Sequence, residues 1–324
     1  MLDLDKRKYV AVNRDHLPAN ASGIKFDIYA RMTGDKKDRP VLLFKKDTPY
    51  DELVDILTNK HFKELYILNA DNAEYWILIE DSMKMIIKDE HISLDEKSSL
   101  VYKCATETVK AVFEDPRSGV NIERCRKVTN NIIDFALDNK DSIPSLLKLG
   151  SHDYYTFTHC VNVAVFAIGL FQCIGRGTED ELRDFALGCI LHDVGKTDID
   201  KKILNKPGKL TDAEFDRIKR HPVFGAVLMK GMVPDIALDV ILHHHEQFDG
   251  RGYPEGLTGD HISDYARMSA IADVYDALTT NRSYARARSP FDAALLMKEK
   301  MVGHFEQEKF IEFIHFLSGD SNNR

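Results

Sequence analysis

The sequence has no excess of basic charge. Its formal net charge is −8, so nothing in the total favours attachment to long nucleic acid or to an anionic membrane, both of which select strongly basic surfaces. A disulfide framework is missing as well. The five cysteines, Cys104, Cys125, Cys160, Cys173 and Cys189, show no CxxC spacing, and their odd number argues against full pairing. They read as reduced thiols, and Cys160, Cys173 and Cys189 fall in apolar helical runs where a thiol packs as a small hydrophobe. The opening segment MLDLDKRKYV has no apolar leader core, and no uninterrupted apolar stretch approaches the roughly 20 residues that cross a bilayer. A cytoplasmic protein without a membrane association is expected. Internal repeats and low-complexity tracts are absent too.

The 324 residues, 44% hydrophobic, are enough for two ordinary domain cores. Up to about residue 92 the pattern is mixed. IKFDIYARM (Ile24–Met32) alternates at period two, and Val41–Phe44, Lys63–Asn69 and Tyr75–Glu80 are β-rich runs of strand length. Pro49 opens YDELVDILTNK, where its fixed φ suits a first helical turn. From Ser93, whose spacing to Glu96 is that of a capping box, the texture is helical almost to the end. One helix is expected from about Leu94 to Glu114 and a second from about Asn121 to Asn139, separated by the break DPRSG. The expected fold class is α+β overall: a small N-terminal α/β domain over residues 1–92, a helical connector over 93–150, and an all-α domain over 151–324.

The chemistry gathers in that last part. His159 lies in an apolar helical segment, and His192-Asp193 closes the apolar run FALGCIL. Adjacent residues at a helix end project about 100° apart, so both can face ions beside it. His221 opens a helix just before Pro222. On the helix PDIALDVILHHH, Ile236, Ala237, Val240 and Ile241 form the buried stripe; His244 falls within it, His245 on its edge and His243 on the far side. Burying two imidazoles near carboxylates is costly unless they are satisfied, and coordination satisfies them together. Asp273, set among Ala270, Ile271, Ala272 and Val274, is an expensive place for an unpaired carboxylate, while Asp276 one turn on is a supporting residue that can pair with Arg282. These seven N/O donors, with no thiolate, suit octahedral iron or manganese better than structural zinc. Lys196, three residues past Asp193, can reach a phosphate or protonate a leaving alkoxide.

DYYTFTHC, LHDVGK, ILNKPGKLT, KRHPVFGA, HHHEQFDGRGYPEGL, IADVYDALTTNRSY and HFEQEKFIEFI, in this order over residues 150–317, resemble the HD-GYP family of metal-dependent phosphohydrolases. The resemblance implies an all-α HD fold and a role in bacterial second-messenger signalling. It also implies hydrolysis of cyclic di-GMP to linear pGpG or on to GMP, at a centre of divalent metal ions, iron preferred and manganese the alternative. The ligands it implies are His159, His192, Asp193, His221, His244, His245 and Asp273. Asp193 would bridge two ions, with Lys196 beside it. Arg282 would hold a substrate phosphate. Tyr253, in the turn DGRGYP, would serve recognition, in a loop thought to contact diguanylate cyclase domains. Two departures qualify this. Relatives with three metals have a glutamate where Tyr155 stands, so two ions are expected; and the basic residue expected three positions after Arg282 is Ala285, with Arg286 or Arg288 as substitutes. Two other readings stay open, a metal-bound sensor of cyclic di-GMP with little turnover and a hydrolase of another cyclic dinucleotide. The ligand of the N-terminal part is not legible.

Overall fold

The computed structural model describes residues 8–13, 16–17, 24–32, 40–48, 62–150, 156–206, 208–281 and 286–319. Two compact units divide the chain, Met1–Leu100 and Val101–Arg324.

In the first unit four strands, β1 (Tyr9–Val12), β2 (Ile28–Met32), β3 (Val41–Phe44) and β4 (Phe62–Leu68), form an antiparallel sheet in the order β1-β4-β2-β3. The register pairs Tyr29 with Tyr66 and Ala30 with Leu65. Ile28, Ala30, Leu65 and Ile67 are buried in it. Strand β1 went unforeseen because YVAV is too short to show a period. The expected strand Ile24–Met32 is shorter, Ile28–Met32, with a bend at Phe26. The expected strand Tyr75–Glu80 is instead part of a helix, α1 (Asn72–Lys88). Its aromatic and β-branched residues favour strands, but Tyr75, Ile79, Met83 and Ile86 recur at helical spacing and are buried on one face. Tyr75 meets Phe26 edge-on at a centroid distance of 6.1 Å. The helix expected after Pro49 lies outside the described residues.

Helix α2 (Leu94–Glu114) starts at the Ser93–Glu96 capping box and carries the division between the units within it. In the second unit follow α3 (Gly119–Asp138), α4 (Ser142–Leu149), α5 (Thr156–Ile174), α6 (Glu179–Leu191), the short α7 (Lys201–Leu204), α8 (Asp212–Ile218), α9 (His221–Met229), α10 (Asp235–His243), α11 (Asp264–Thr279), α12 (Pro290–Lys300) and α13 (Gln307–Ser318). Helix α5 is the axis of the core: α6, α11 and α13 pack around it, while α3 and α10 pack on α6. Phe166 of α5, Tyr275 of α11 and Phe313 of α13 meet with centroids 5.0 to 6.0 Å apart. Such edge-to-face pairs add to the burial of large apolar surface. At 19 residues and mean hydropathy 1.7, α5 is long and apolar enough to cross a membrane, which corrects the expectation that no stretch is. Here 72% of its apolar window is buried inside the protein, and the lack of a polar face follows from having helices on all sides. Cys104, Cys125, Cys160 and Cys189 are buried and Cys173 is half-buried.

Candidate metal centre

Six elements bring the candidate residues together. His159 stands in the first turn of α5, His192 caps the C-terminal end of α6, and Asp193 opens a short 3-10 turn, Val194–Asp198. His221 is the first residue of α9, His244 and His245 follow α10, and Asp273 lies within α11. Gly195 lets the elements close up: a Cβ there would collide with the carbonyl of His221 and the amide of Gly225. His159, His192, Asp193, His221 and His244 are each 1–2% exposed and Asp273 is 7% exposed. His245 lies at the edge, as its place on the stripe predicts.

Each buried imidazole is fixed from behind. His192 Nδ1 donates to the carbonyl of Cys189 at 2.7 Å, His221 Nδ1 to that of Ile218 at 2.8 Å, and His244 Nδ1 to that of Ile241 at 3.0 Å. His159 Nδ1 donates to Asp276 Oδ2 at 2.6 Å. A neutral ring that donates from Nδ1 presents a lone pair at Nε2. Those lone pairs converge: His221 Nε2 lies 3.1 Å from His244 Nε2, and His159 Nε2 lies 3.1 Å from Asp273 Oδ1. Asp193 Oδ1 is 3.3 Å from His221 Nε2 and its Oδ2 3.5 Å from His192 Nε2. Two acceptors at such separations repel unless a cation lies between them. His192 Nε2 and Asp193 Oδ1 are buried without a hydrogen-bond partner, which costs free energy that coordination recovers.

Charge states agree with that geometry. Burial holds His221 down at about 3 and His245 at about 4, and also lowers His192 and His244, so these rings are neutral. Burial by itself raises Asp193, but the charge of Lys196, foremost among its neighbours, outweighs it and holds the carboxylate well below its ordinary range. Asp273 is likewise held well below its ordinary range against burial, with His159, His245 and His192 around it. Neutral imidazoles and ionised carboxylates are the ligating forms. Two groups, His221-His244-His245 and His159-His192-Asp193, each have ligand atoms within 4.8 Å of one another, and Asp273 stands between them, 3.6 Å from His245 and 4.0 Å from His192. The residues present fit divalent cations with nitrogen and oxygen ligands.

The cluster opens into a cavity of about 390 Å³, lined by Lys196, Tyr253, Gln247 and His304 on its polar sides and by Leu278, Leu296 and Met301 among its apolar ones. Lys196 Nζ is 2.5 Å from Asp193 Oδ2. Tyr253 lies across His245 with centroids 4.7 Å apart and planes at 34°. Burial keeps its phenol protonated, its pKa raised far above the ordinary value. The loop bearing Tyr253 is anchored by Glu246, 2% exposed, whose carboxylate accepts from the amides of Glu255 (2.7 Å), Gly256 (3.1 Å) and Leu257 (3.0 Å). His243 turns away from the cluster to Asp239. Arg286 is exposed and is not among the cavity-lining residues. Tyr155, Arg282 and Ala285 lie outside the described residues, and so does the expected pairing of Asp276 with Arg282; the described partners of Asp276 are His159, Asn162 and Thr280. Gln247, Glu246 and His304 were missed in the sequence; only their places in HHHEQ and HFEQEKF could have flagged them.

Residues 170–308 match the model of the HD domain. A cyclic di-GMP phosphodiesterase of Pseudomonas aeruginosa is 36% identical over 230 residues, which cover 69% of this chain and 55% of that protein. A 3′3′-cGAMP-specific phosphodiesterase of Vibrio cholerae is 38% identical over 48% of this chain and 34% of its own length. The chain thus spans about half or less of the length of these curated relatives. Among solved structures, that of a HDG"Y"P protein from Bdellovibrio bacteriovorus superposes with a TM-score of 0.66 at 19% identity, covering 96% of this chain and 100% of that one, which shows the shared fold. With the HD doublet, the HHE and GYP segments and the histidine–aspartate cluster on one helical scaffold, the second unit carries an HD domain of the HD-GYP family.

Proposed function

We propose that the chain is a metal-dependent phosphodiesterase that hydrolyses cyclic di-GMP to linear pGpG or GMP, using two divalent ions, iron in preference to manganese. The observation that carries this reading is the convergence of imidazole lone pairs and carboxylates at the floor of an open cavity. Its substrate is taken from the relatives, several of which are named cyclic di-GMP phosphodiesterases. Bound ions would polarise the phosphodiester oxygens and activate a water. His159, His192, Asp193, His221, His244, His245 and Asp273 would hold them, and Tyr155, where a glutamate would complete a third site, limits the number to two. Lys196, partly exposed beside Asp193, donates a proton to the departing 3′-oxygen or contacts the phosphate. Tyr253 walls the cavity and orients the ligand through its phenol. Arg282, aided by Arg286, grips a phosphate.

In this reading residues 151–324 are the hydrolase, residues 93–150 a connector, and residues 1–92 a regulatory or partner-binding domain of a cytoplasmic signalling protein. The GYP loop is also the surface for a diguanylate cyclase domain; the charged, exposed Arg251 supports that role. The decisive experiment is anaerobic purification with metal analysis, then incubation with cyclic di-GMP and, in parallel, 3′3′-cGAMP, with the products separated by chromatography. Two ions per chain and pGpG or GMP from cyclic di-GMP are expected. Turnover of 3′3′-cGAMP alone would reassign the substrate, and metal binding with no turnover of either would make the chain a sensor.

A further inference from the structure

His159 is held in place by a hydrogen-bond chain that starts well outside residues 170–308. Tyr102 of α2 donates from its hydroxyl to Asn162 Oδ1 at 2.8 Å. Asn162, one turn beyond His159 on α5, donates from Nδ2 to Asp276 Oδ1 at 2.8 Å and to the carbonyl of Gly150 at 3.3 Å. Asp276 accepts from His159 Nδ1 through its other oxygen and from Thr280 Oγ1 at 3.1 Å. Every group in the chain is buried, Tyr102 at 8% exposure and Asn162 at 3%. With three donors aimed at it, the Asp276 carboxylate can only accept, which fixes the His159 proton on Nδ1 and turns its Nε2 lone pair towards Asp193 and Asp273.

An amide side chain has two orientations, differing by exchange of oxygen and nitrogen. Only one places the Asn162 NH₂ on Asp276; the other puts a carbonyl oxygen against a carboxylate. Tyr102 reinforces the first, because its hydroxyl donates to the Asn162 oxygen. Gly150 closes the remaining side: a Cβ there would collide with the Asn162 amide. We infer that Tyr102 is a positioning residue of the metal centre, setting the Asn162 amide so that Asp276 fixes the ring and tautomer of His159. This makes α2 part of the site. The inference rests on the proposed reading of the cluster as a divalent-cation site.

The test is calorimetric titration of the metal-free full-length chain with Mn²⁺, comparing wild type, Tyr102→Phe and Phe113→Leu. Tyr102→Phe removes one hydroxyl and keeps the ring. Phe113 stands on the same helix and packs on Phe157 at 5.5 Å, so its variant loosens α2 without touching the chain of bonds. Tyr102→Phe should weaken Mn²⁺ affinity about three- to tenfold, less than the roughly 10- to 100-fold that follows loss of a group bonded directly to a ligand. Phe113→Leu should leave it within twofold. Equal affinity in Tyr102→Phe and wild type would overturn the inference. So would equal weakening in both variants, since helix packing would then be the cause. A wild-type chain that binds no Mn²⁺ would instead overturn the reading of the cluster.

Discussion

Glu246 and Asp193 are both carboxylates of the second unit, 2% and 1% exposed, yet they are satisfied in opposite ways. Glu246 takes three backbone amides, two on one oxygen and one on the other, and so closes the loop that carries Tyr253. Asp193 has one oxygen on Lys196 and the other with no hydrogen-bond partner, surrounded by imidazoles whose lone pairs face it. A burial that the protein satisfies from its own backbone is architecture. A burial left incomplete, at the floor of a cavity, is where an external cation belongs.

The largest effect should come from Asp193→Asn. Losing the carboxylate should abolish Mn²⁺ and Fe²⁺ binding and lower hydrolysis by about 1,000-fold or more, since metal polarisation supplies several kcal/mol to such reactions. The fold should survive, because in the absence of metal the substitution removes a buried charge. Metal analysis, turnover and circular dichroism check this; retained metal at wild-type stoichiometry would break the contrast with Glu246.

The same substitution logic reverses at Glu246. Glu246→Ala leaves three buried amides without an acceptor and should lower stability by about 3 kcal/mol, with Glu246→Gln, which keeps one acceptor oxygen, falling in between. Urea unfolding of the metal-free chain reads the difference. If Glu246→Ala unfolds at the wild-type midpoint, the loop is not held as described.

Metal addition gives a third, smaller contrast. An ion that binds only the folded state adds RT ln(1 + [L]/Kd), about 2.7 kcal/mol at a hundredfold excess over Kd. For a unit of this size that is a rise of roughly 5–10 °C in the unfolding midpoint. Mn²⁺ should raise the midpoint of wild type and of Glu246→Gln alike and leave Asp193→Asn unmoved; a rise in all three would place the ion elsewhere.

How legible these features were follows from how local each signal is. His192-Asp193 and His244-His245 are adjacent pairs at helix ends, so the helical period alone turned His244 inward and His243 outward, as they lie. The two helices expected around the DPRSG break appear within two residues of their expected bounds. Partners distant in sequence were invisible: Asp276 and His159 are 117 residues apart, Tyr102 and Asn162 60. Tyr75–Glu80 misled because six residues of aromatic and β-branched character cannot separate a strand from half of an amphipathic helix. Helix α5 was read rightly as a buried helix, yet its length and composition reach those of a membrane span, because a helix surrounded by helices needs no polar face.

The smallest effect concerns a carboxylate that also accepts backbone and side-chain donors but is only half-buried, at the surface. Glu214 reaches back to the amide of Thr211 at 2.7 Å, completing the capping box of α8, and takes Lys206 Nζ at 2.8 and 2.6 Å on its two oxygens. The Lys206 hydrogen bond, followed by those from Thr211, lowers its pKa from 4.5 to about 2. Because the folded value lies below the ordinary one, its stabilisation is fully present above about pH 4.5 and is lost as the pH falls towards 2. Glu214→Gln keeps an acceptor for the cap but has no charge to lose. The stability difference between wild type and this variant should therefore be constant from pH 7 down to about 4.5 and shrink below it, read by urea unfolding at each pH. Solvent screening keeps the effect small. A difference that stays constant into the acid range would mean that the Lys206 pair adds nothing to the folded state, and that at the surface, unlike at Glu246, the backbone amide alone accounts for the carboxylate's place.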